Sequence, residues 1–135
     1  MAKNSITSAF LTVSILILLA SCRSVPNNPS SGTSAIAGLV LEGPISPVQQ
    51  QGESNEAPLA GAPIAIANSV NSTIVAKVVS DSAGKFFVNV AAGSYILTPG
   101  QVSNSGLPRP LQPSMVQVPV NTTISDTLHY DTGIR

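Results

Sequence analysis

Few side chains in this chain could do chemistry. There is one histidine, His129, and one cysteine, Cys22. A Ser-His-Asp centre would need His129 to be oriented by a carboxylate and to reach a hydroxyl nucleophile. A zinc site would need three or four ligands. Asp126, His129 and Asp131 are neighbours in sequence. On a strand, however, successive side chains alternate, so Asp126 and His129 point to opposite faces. His129 reads as an exposed strand histidine. The expectation is a chain that is not an enzyme and has no metal site and no cofactor. Cys22 has no partner within the chain, so its chemistry must be that of a single thiol.

The residues around Cys22 say which chemistry. Lys3 makes the start positive, and Ala9 to Ala20, AFLTVSILILLA, is apolar. At about a dozen residues this run is short of the ~20 that span a bilayer, and it fits the apolar region of a signal peptide. Leu19-Ala20-Ser21-Cys22 follows and resembles the bacterial lipobox, an apolar residue and two small ones before a cysteine. The small residues let the peptidase approach, and the thiol is the nucleophile that takes a diacylglyceryl group. The resemblance implies a lipoprotein signal peptide over 1–21 and a mature chain beginning at lipidated Cys22. Two or three acyl chains, at ~0.8 kcal/mol per buried CH₂, give a stable anchor. Arg23 rather than Asp follows the cysteine. In a two-membrane bacterium that implies the outer membrane, so the expected location is the cell envelope.

The rest of the chain must position whatever function is carried. Its 135 residues leave room for one domain after the leader. Only 9% of residues are charged, with 10 Gly and 11 Pro spread through the chain. Short segments punctuated this way favour an all-β fold. Six positive and six negative side chains balance; losing Lys3 leaves five against six, about −1. No basic stripe exists, so no nucleic-acid partner is expected. Residues 22–33 read as a lipidated cysteine and flexible tether, RSVPNNPSSGT lacking apolar periodicity, and 34–135 as the folded domain.

Within that domain the stretch Ser80 to Pro99 is central. Asp81-Ser82-Ala83-Gly84 makes a turn, with Asp able to accept backbone hydrogen bonds and Gly84 suited to a positive φ. Phe86, Val88 and Val90 recur at period two, Ala91-Ala92-Gly93 turns the chain, and Tyr95 and Leu97 continue the inward face, so a hairpin is expected. Further strands are expected at Ser34–Glu42, apolar on both faces, and at Pro63–Ala67, Thr73–Ser80, Met115–Val120 and Thr122–Tyr130. In the last two, Val116, Val118 and Val120 align, as do Ile124, Leu128 and Tyr130. The pattern is a seven-stranded antiparallel β-sandwich. Two long loops, Gly43–Pro58 and Gly100–Pro113, interrupt it. Loops of this length often carry function. Arg109, Gln49 and Gln50 are their candidate contact residues.

Several short motifs occur in order: Gly38-Leu39-Val40, Leu59-Ala60-Gly61-Ala62-Pro63-Ile64, Asp81 with Gly84-Lys85-Phe86, and Ala92-Gly93-Ser94-Tyr95-Ile96-Leu97. Together they resemble the carboxypeptidase regulatory-like domain, a transthyretin-like (prealbumin-like) β-sandwich. Ala92 stands where that family usually has Pro. The resemblance implies an accessory, noncatalytic fold without zinc ligands of its own. A nearer likeness is to small bacterial exported proteins of this fold, which share Leu41-Glu42-Gly43-Pro44-Ile45-Ser46-Pro47-Val48, Gly106-Leu107-Pro108 and Tyr130-Asp131-Thr132-Gly133-Ile134-Arg135. Those proteins often carry a cysteine pair in the first long loop; here Ser46 stands without one. Some related sandwiches form a Lys–Asn isopeptide bond between first and last strands. The first strand here lacks Lys and the last lacks Asn.

The function expected from all this is a noncatalytic, lipid-anchored envelope protein whose sandwich is a structural or protein-interaction module. The alternative is a carbohydrate-binding module. There is no Trp, and of the aromatics only Phe87 is expected to face outward, which makes a poor platform for sugar. The partners expected are the membrane, through Cys22, and an envelope protein or glycan.

Overall fold

The computed structural model describes residues 33–48 and 51–135. The leader, Leu19-Ala20-Ser21-Cys22, the tether up to residue 32, and Gln49 and Gln50 lie outside the described residues. Nine strands follow in order: β1 Ser34–Gly43, β2 Ala57–Pro58, β3 Pro63–Asn68, β4 Ile74–Val79, β5 Lys85–Val90, β6 Gly93–Pro99, β7 Arg109–Pro110, β8 Ser114–Val118 and β9 Thr123–Asp131. The seven longer strands are those expected, with ends shifted by up to two residues. β2 and β7 are two-residue pairings inside the two long loops.

Two sheets face each other. In the first, β1 is central, flanked by β9 on one side and by β5 and β2 on the other, with β7 beyond β9. The second runs β4-β3-β6-β8. All pairs are antiparallel except β1 with β9, which run parallel from Ala35↔Thr123 to Gly43↔Asp131. The core lies between the sheets. Ile36, Val40, Phe86, Leu128 and Tyr130 enter it from the first sheet, and Ile64, Ile66, Tyr95, Leu97 and Val118 from the second. β1 carries apolar side chains on both faces because it is the centre of its sheet. Its outer residues Ala37, Leu39 and Leu41 are only partly covered.

Ser80–Pro99 is not a hairpin. β5 pairs with β1, and β6 pairs with β3 and β8, so the turn after Val90 carries the chain from one sheet to the other. Phe86 and Tyr95 still both point inward, but from opposite walls. Tyr95 donates its hydroxyl hydrogen to the Ala91 carbonyl at 2.8 Å, which holds that crossing. The Asp81 turn forms as its residues dictate. Asp81 Oδ1 accepts from Ala83 N at 2.8 Å and Lys85 N at 2.9 Å, and Gly84 has φ 70°. Val120 does not extend the inward face of Val116 and Val118. Pro119 has no N–H for the ladder, β8 stops at Val118, and Val120 is exposed in the following turn.

Parallel β1 and β9 give the sandwich two unlike ends, about 30 Å apart by the rise of a ten-residue strand. At one, here the turn end, three short turns join β3 to β4, β5 to β6 and β8 to β9. The chain enters there: Ser34 Oγ donates to the Pro119 carbonyl at 2.9 Å, and Ala35 N donates to the Thr122 carbonyl at 3.1 Å. At the other, the loop end, lie both long loops, the Asp81 turn and residues 132–135.

Candidate functional site

The loop end gathers residues from three distant parts of the chain around Asp131. Register places Asp131 beside Gly43 of β1 and Arg109 of β7. Its side chain, 11% exposed, accepts from Arg109 Nε at 3.1 Å and NH2 at 2.6 Å, from Arg135 NH1 at 3.2 Å and NH2 at 3.0 Å, and from Gly133 N at 2.9 Å. Hydrogen bonds from Arg135, then from Gly133 and Arg109, hold this carboxyl well below the usual carboxylate range. Asp131 in turn raises the pKa of Arg135. Both arginine side chains keep most of their surface in solvent, 58% for Arg109 and 66% for Arg135.

The first loop is tied to the same place. Thr132 N donates to the Gly43 carbonyl at 3.1 Å, and the Thr132 hydroxyl donates to the Pro44 carbonyl. Asn55 braces the loop, accepting from Ile45 N and Ser46 N and donating to the Ser46 carbonyl. Glu56 meets His129 Nδ1 at 3.1 Å. The second loop is fixed by Tyr130, whose hydroxyl donates to the Gly100 carbonyl at 2.7 Å; burial pushes the Tyr130 pKa up to about 12. Leu107 lies against Gly133. The three segments Leu41–Val48, Gly106–Pro108 and Tyr130–Arg135 thus form one surface. Its large exposed apolar residues are Ile45, Val48 and Leu107.

Arg109 therefore has two roles that the sequence did not separate. It presents an exposed guanidinium and also fastens its loop to β9. His129 is on the outer face, paired with Glu56 rather than with a hydroxyl. Asp126 is on the inner face between Ile124 and Leu128, beside Gly38, and its Oδ2 is buried without a hydrogen-bond partner among the described residues. Among the described residues no three of His, Cys, Asp and Glu gather to hold a metal, and no helix is long and apolar enough to cross a membrane. On the outer face of the first sheet, Phe87 is 59% exposed beside Ala37. It borders a shallow open groove of about 620 Å³ that also takes in Asp81, Lys85 and Ser125.

No known protein family matches the chain, and no curated protein does either. Solved structures do. The chain resembles the minor pilin GBS52 of Streptococcus agalactiae with TM-score 0.54 and 16% identity, over 75% of this chain and 45% of that one. It resembles BcpA, the major pilin subunit of Bacillus cereus, with TM-score 0.55 and 18% identity, over 74% of this chain and 30% of that one. The full-length major pilin SpaD of Corynebacterium diphtheriae gives 0.54 and 13%, over 74% and 32%. At these identities the likeness is one of fold, a two-sheet β-sandwich. The chain spans less than half the length of each of these proteins.

Proposed function

We propose that this is a lipid-anchored envelope protein, acylated at Cys22, whose noncatalytic sandwich presents its loop end to a protein partner. One observation carries the reading. Both long loops and residues 132–135 converge at the end remote from Ser34, where the chain arrives from the segment bearing Cys22. A surface fastened to rigid strands and displayed away from its anchor is suited to recognition. Acylation itself is supported by the lipobox sequence Leu19-Ala20-Ser21-Cys22. Membership of the carboxypeptidase regulatory-like group is supported by the ordered motifs and by their places in the fold: Gly38 in β1, Leu59–Pro63 entering β3, Asp81 and Gly84 in one turn, and Tyr95 in β6. Such a module outside the cytoplasm, at the outer membrane of a two-membrane host, needs no cofactor.

The test is a pull-down from detergent-solubilised envelope with the acylated protein, after mass spectrometry of its amino terminus. The expected results are a diacylglyceryl-modified Cys22 and a saturable protein partner lost when Gly43–Pro58 or Gly100–Pro113 is replaced. An unmodified thiol refutes the anchor, and capture indifferent to both loops refutes the recognition surface.

A carbohydrate-binding module is the second reading, favoured by exposed Phe87 at its groove. Binding on a glycan array that is lost in Phe87→Ala, with no protein captured, would put it first.

A further inference from the structure

The turn end differs in chemistry from the rest of the surface. Of the charged described residues, all lie in the loop half except Lys77 and Asp126, which register places mid-strand beside Ala65 and Gly38. The turns 69–73, 91–92 and 119–122 contain no Asp, Glu, Lys, Arg or His. They sit side by side: Ser69 N donates to the Ser94 carbonyl at 3.0 Å, Gly93 pairs with Val118, and Ser34 is bonded to Pro119. Two large apolar side chains project from these turns, Val70 at 90% exposure and Val120 at 52%, with Ile74 behind Val70 at 53%. Their neighbours are neutral hydrogen-bonding groups, Asn71, Ser72, Asn121 and Thr122.

From this we infer that the turn end faces the membrane in the anchored protein and rests Val70 and Val120 in the headgroup region of the bilayer. The inference rests on the acylation of Cys22 proposed above. Three arguments favour a lipid surface as the occupant. The chain arrives at this end, and the eleven residues 23–33 hold it within at most about 40 Å of the acylated cysteine. Placing charge against hydrocarbon is costly, and this end has none to place. Neutral amides and hydroxyls can exchange water for lipid headgroup partners without dehydrating an ion, while the valines enter the apolar boundary.

The experiment uses the acylated full-length protein, in which Cys22 is blocked. Single cysteines introduced as Val70→Cys, Val120→Cys or, at the loop end, Leu107→Cys carry an environment-sensitive fluorophore. The protein is reconstituted in phosphatidylethanolamine–phosphatidylglycerol vesicles containing lipid with a nitroxide near the headgroup. Quenching at 70 and 120 should exceed that at 107 at least twofold. A protein that floats with the vesicles yet shows equal quenching at all three sites overturns this inference alone. Failure to float overturns the acylation reading, and this inference with it. A tether by itself also keeps this end near the bilayer, so contact needs its own readout. With the reporter at Ser69→Cys, the pair Val70→Asp and Val120→Asp should lower quenching at least twofold. Unchanged quenching shows proximity without contact and overturns the inference. Both substitutions are at exposed turn positions, and an unaltered melting midpoint confirms that the fold is intact.

Discussion

Gly38→Ala should destabilise the domain far more than a one-carbon change usually does. Gly38 pairs with Phe86 across β1 and β5 and with Asp126 across β1 and β9. The Phe86 ring covers the space above it. A Cβ at position 38 would meet ring atoms Cε1 and Cζ more than about 1 Å inside ordinary van der Waals contact. The Asp126 carbonyl oxygen, 2.9 Å from that Cβ, closes the other side. Phe86 is 5% exposed, so its ring has no solvent to swing into. Overpacking of this kind costs about 1–3 kcal/mol, and with the ring and the backbone oxygen both held in place the upper half of the range applies. Urea unfolding should move to a lower midpoint by about 1 M or more, with little change in slope. Phe86→Leu removes the ring, so the double variant Gly38→Ala/Phe86→Leu should be more stable than the sum of the two changes implies, by ~1 kcal/mol or more. A midpoint shift for Gly38→Ala within about 0.3 M, or simple additivity in the double variant, would refute the reasoning.

Three further outcomes are expected. Tyr95→Ala should cost about 3–5 kcal/mol, as for a buried large aromatic, whereas Tyr95→Phe, losing only the bond to the Ala91 carbonyl, should cost about 1 kcal/mol; thermal melts of the pair check both. Asp131 has a folded pKa below its unfolded one, so its contribution is present above about pH 4 and lost as pH falls towards the folded value. Asp131→Asn should lower the midpoint at neutral pH and weaken its dependence on acid, read by urea titrations from pH 7 to 2. Tyr130 has a raised pKa, so the unfolded chain loses this proton first. Stability should fall as pH rises from 10 towards 12, and Tyr130→Phe should flatten that slope.

How much of this was legible in the sequence depended on whether the signal was local. Period-two alternation identified Phe86, Tyr95, Leu97, Leu128 and Tyr130 as inward, and all five are buried. It could not tell a hairpin from a crossing between sheets. Phe86 and Tyr95 face the core in either case, and Ala91-Ala92-Gly93 suits both turns. Alternation carried Val120 inward and passed over Asp126, because the pattern registers side-chain polarity and not where the ladder ends. The ties at Asp131 were hidden for another reason. Arg109 is 22 residues away and its loop carries no periodicity, while the parallel pairing of β1 with β9 leaves no trace in either strand alone. The three segments that meet there could be seen as shared motifs before anything indicated that they touch. The lack of charge at the turn end was present in the sequence throughout, but it became a surface only once three separate turns were placed side by side.

The central claim is that the loop end, displayed away from the anchor, recognises a partner. It is tested most directly by photo-crosslinking in intact cells, with a photoreactive residue at Leu107 or Ile45 of the loop end, or at Asn89 or Thr123 on the first sheet's outer face. The account predicts discrete protein adducts from positions 107 and 45 and none from 89 and 123. Adducts from the sheet face alone, or none from the loop end under conditions that label a known envelope complex, would contradict it.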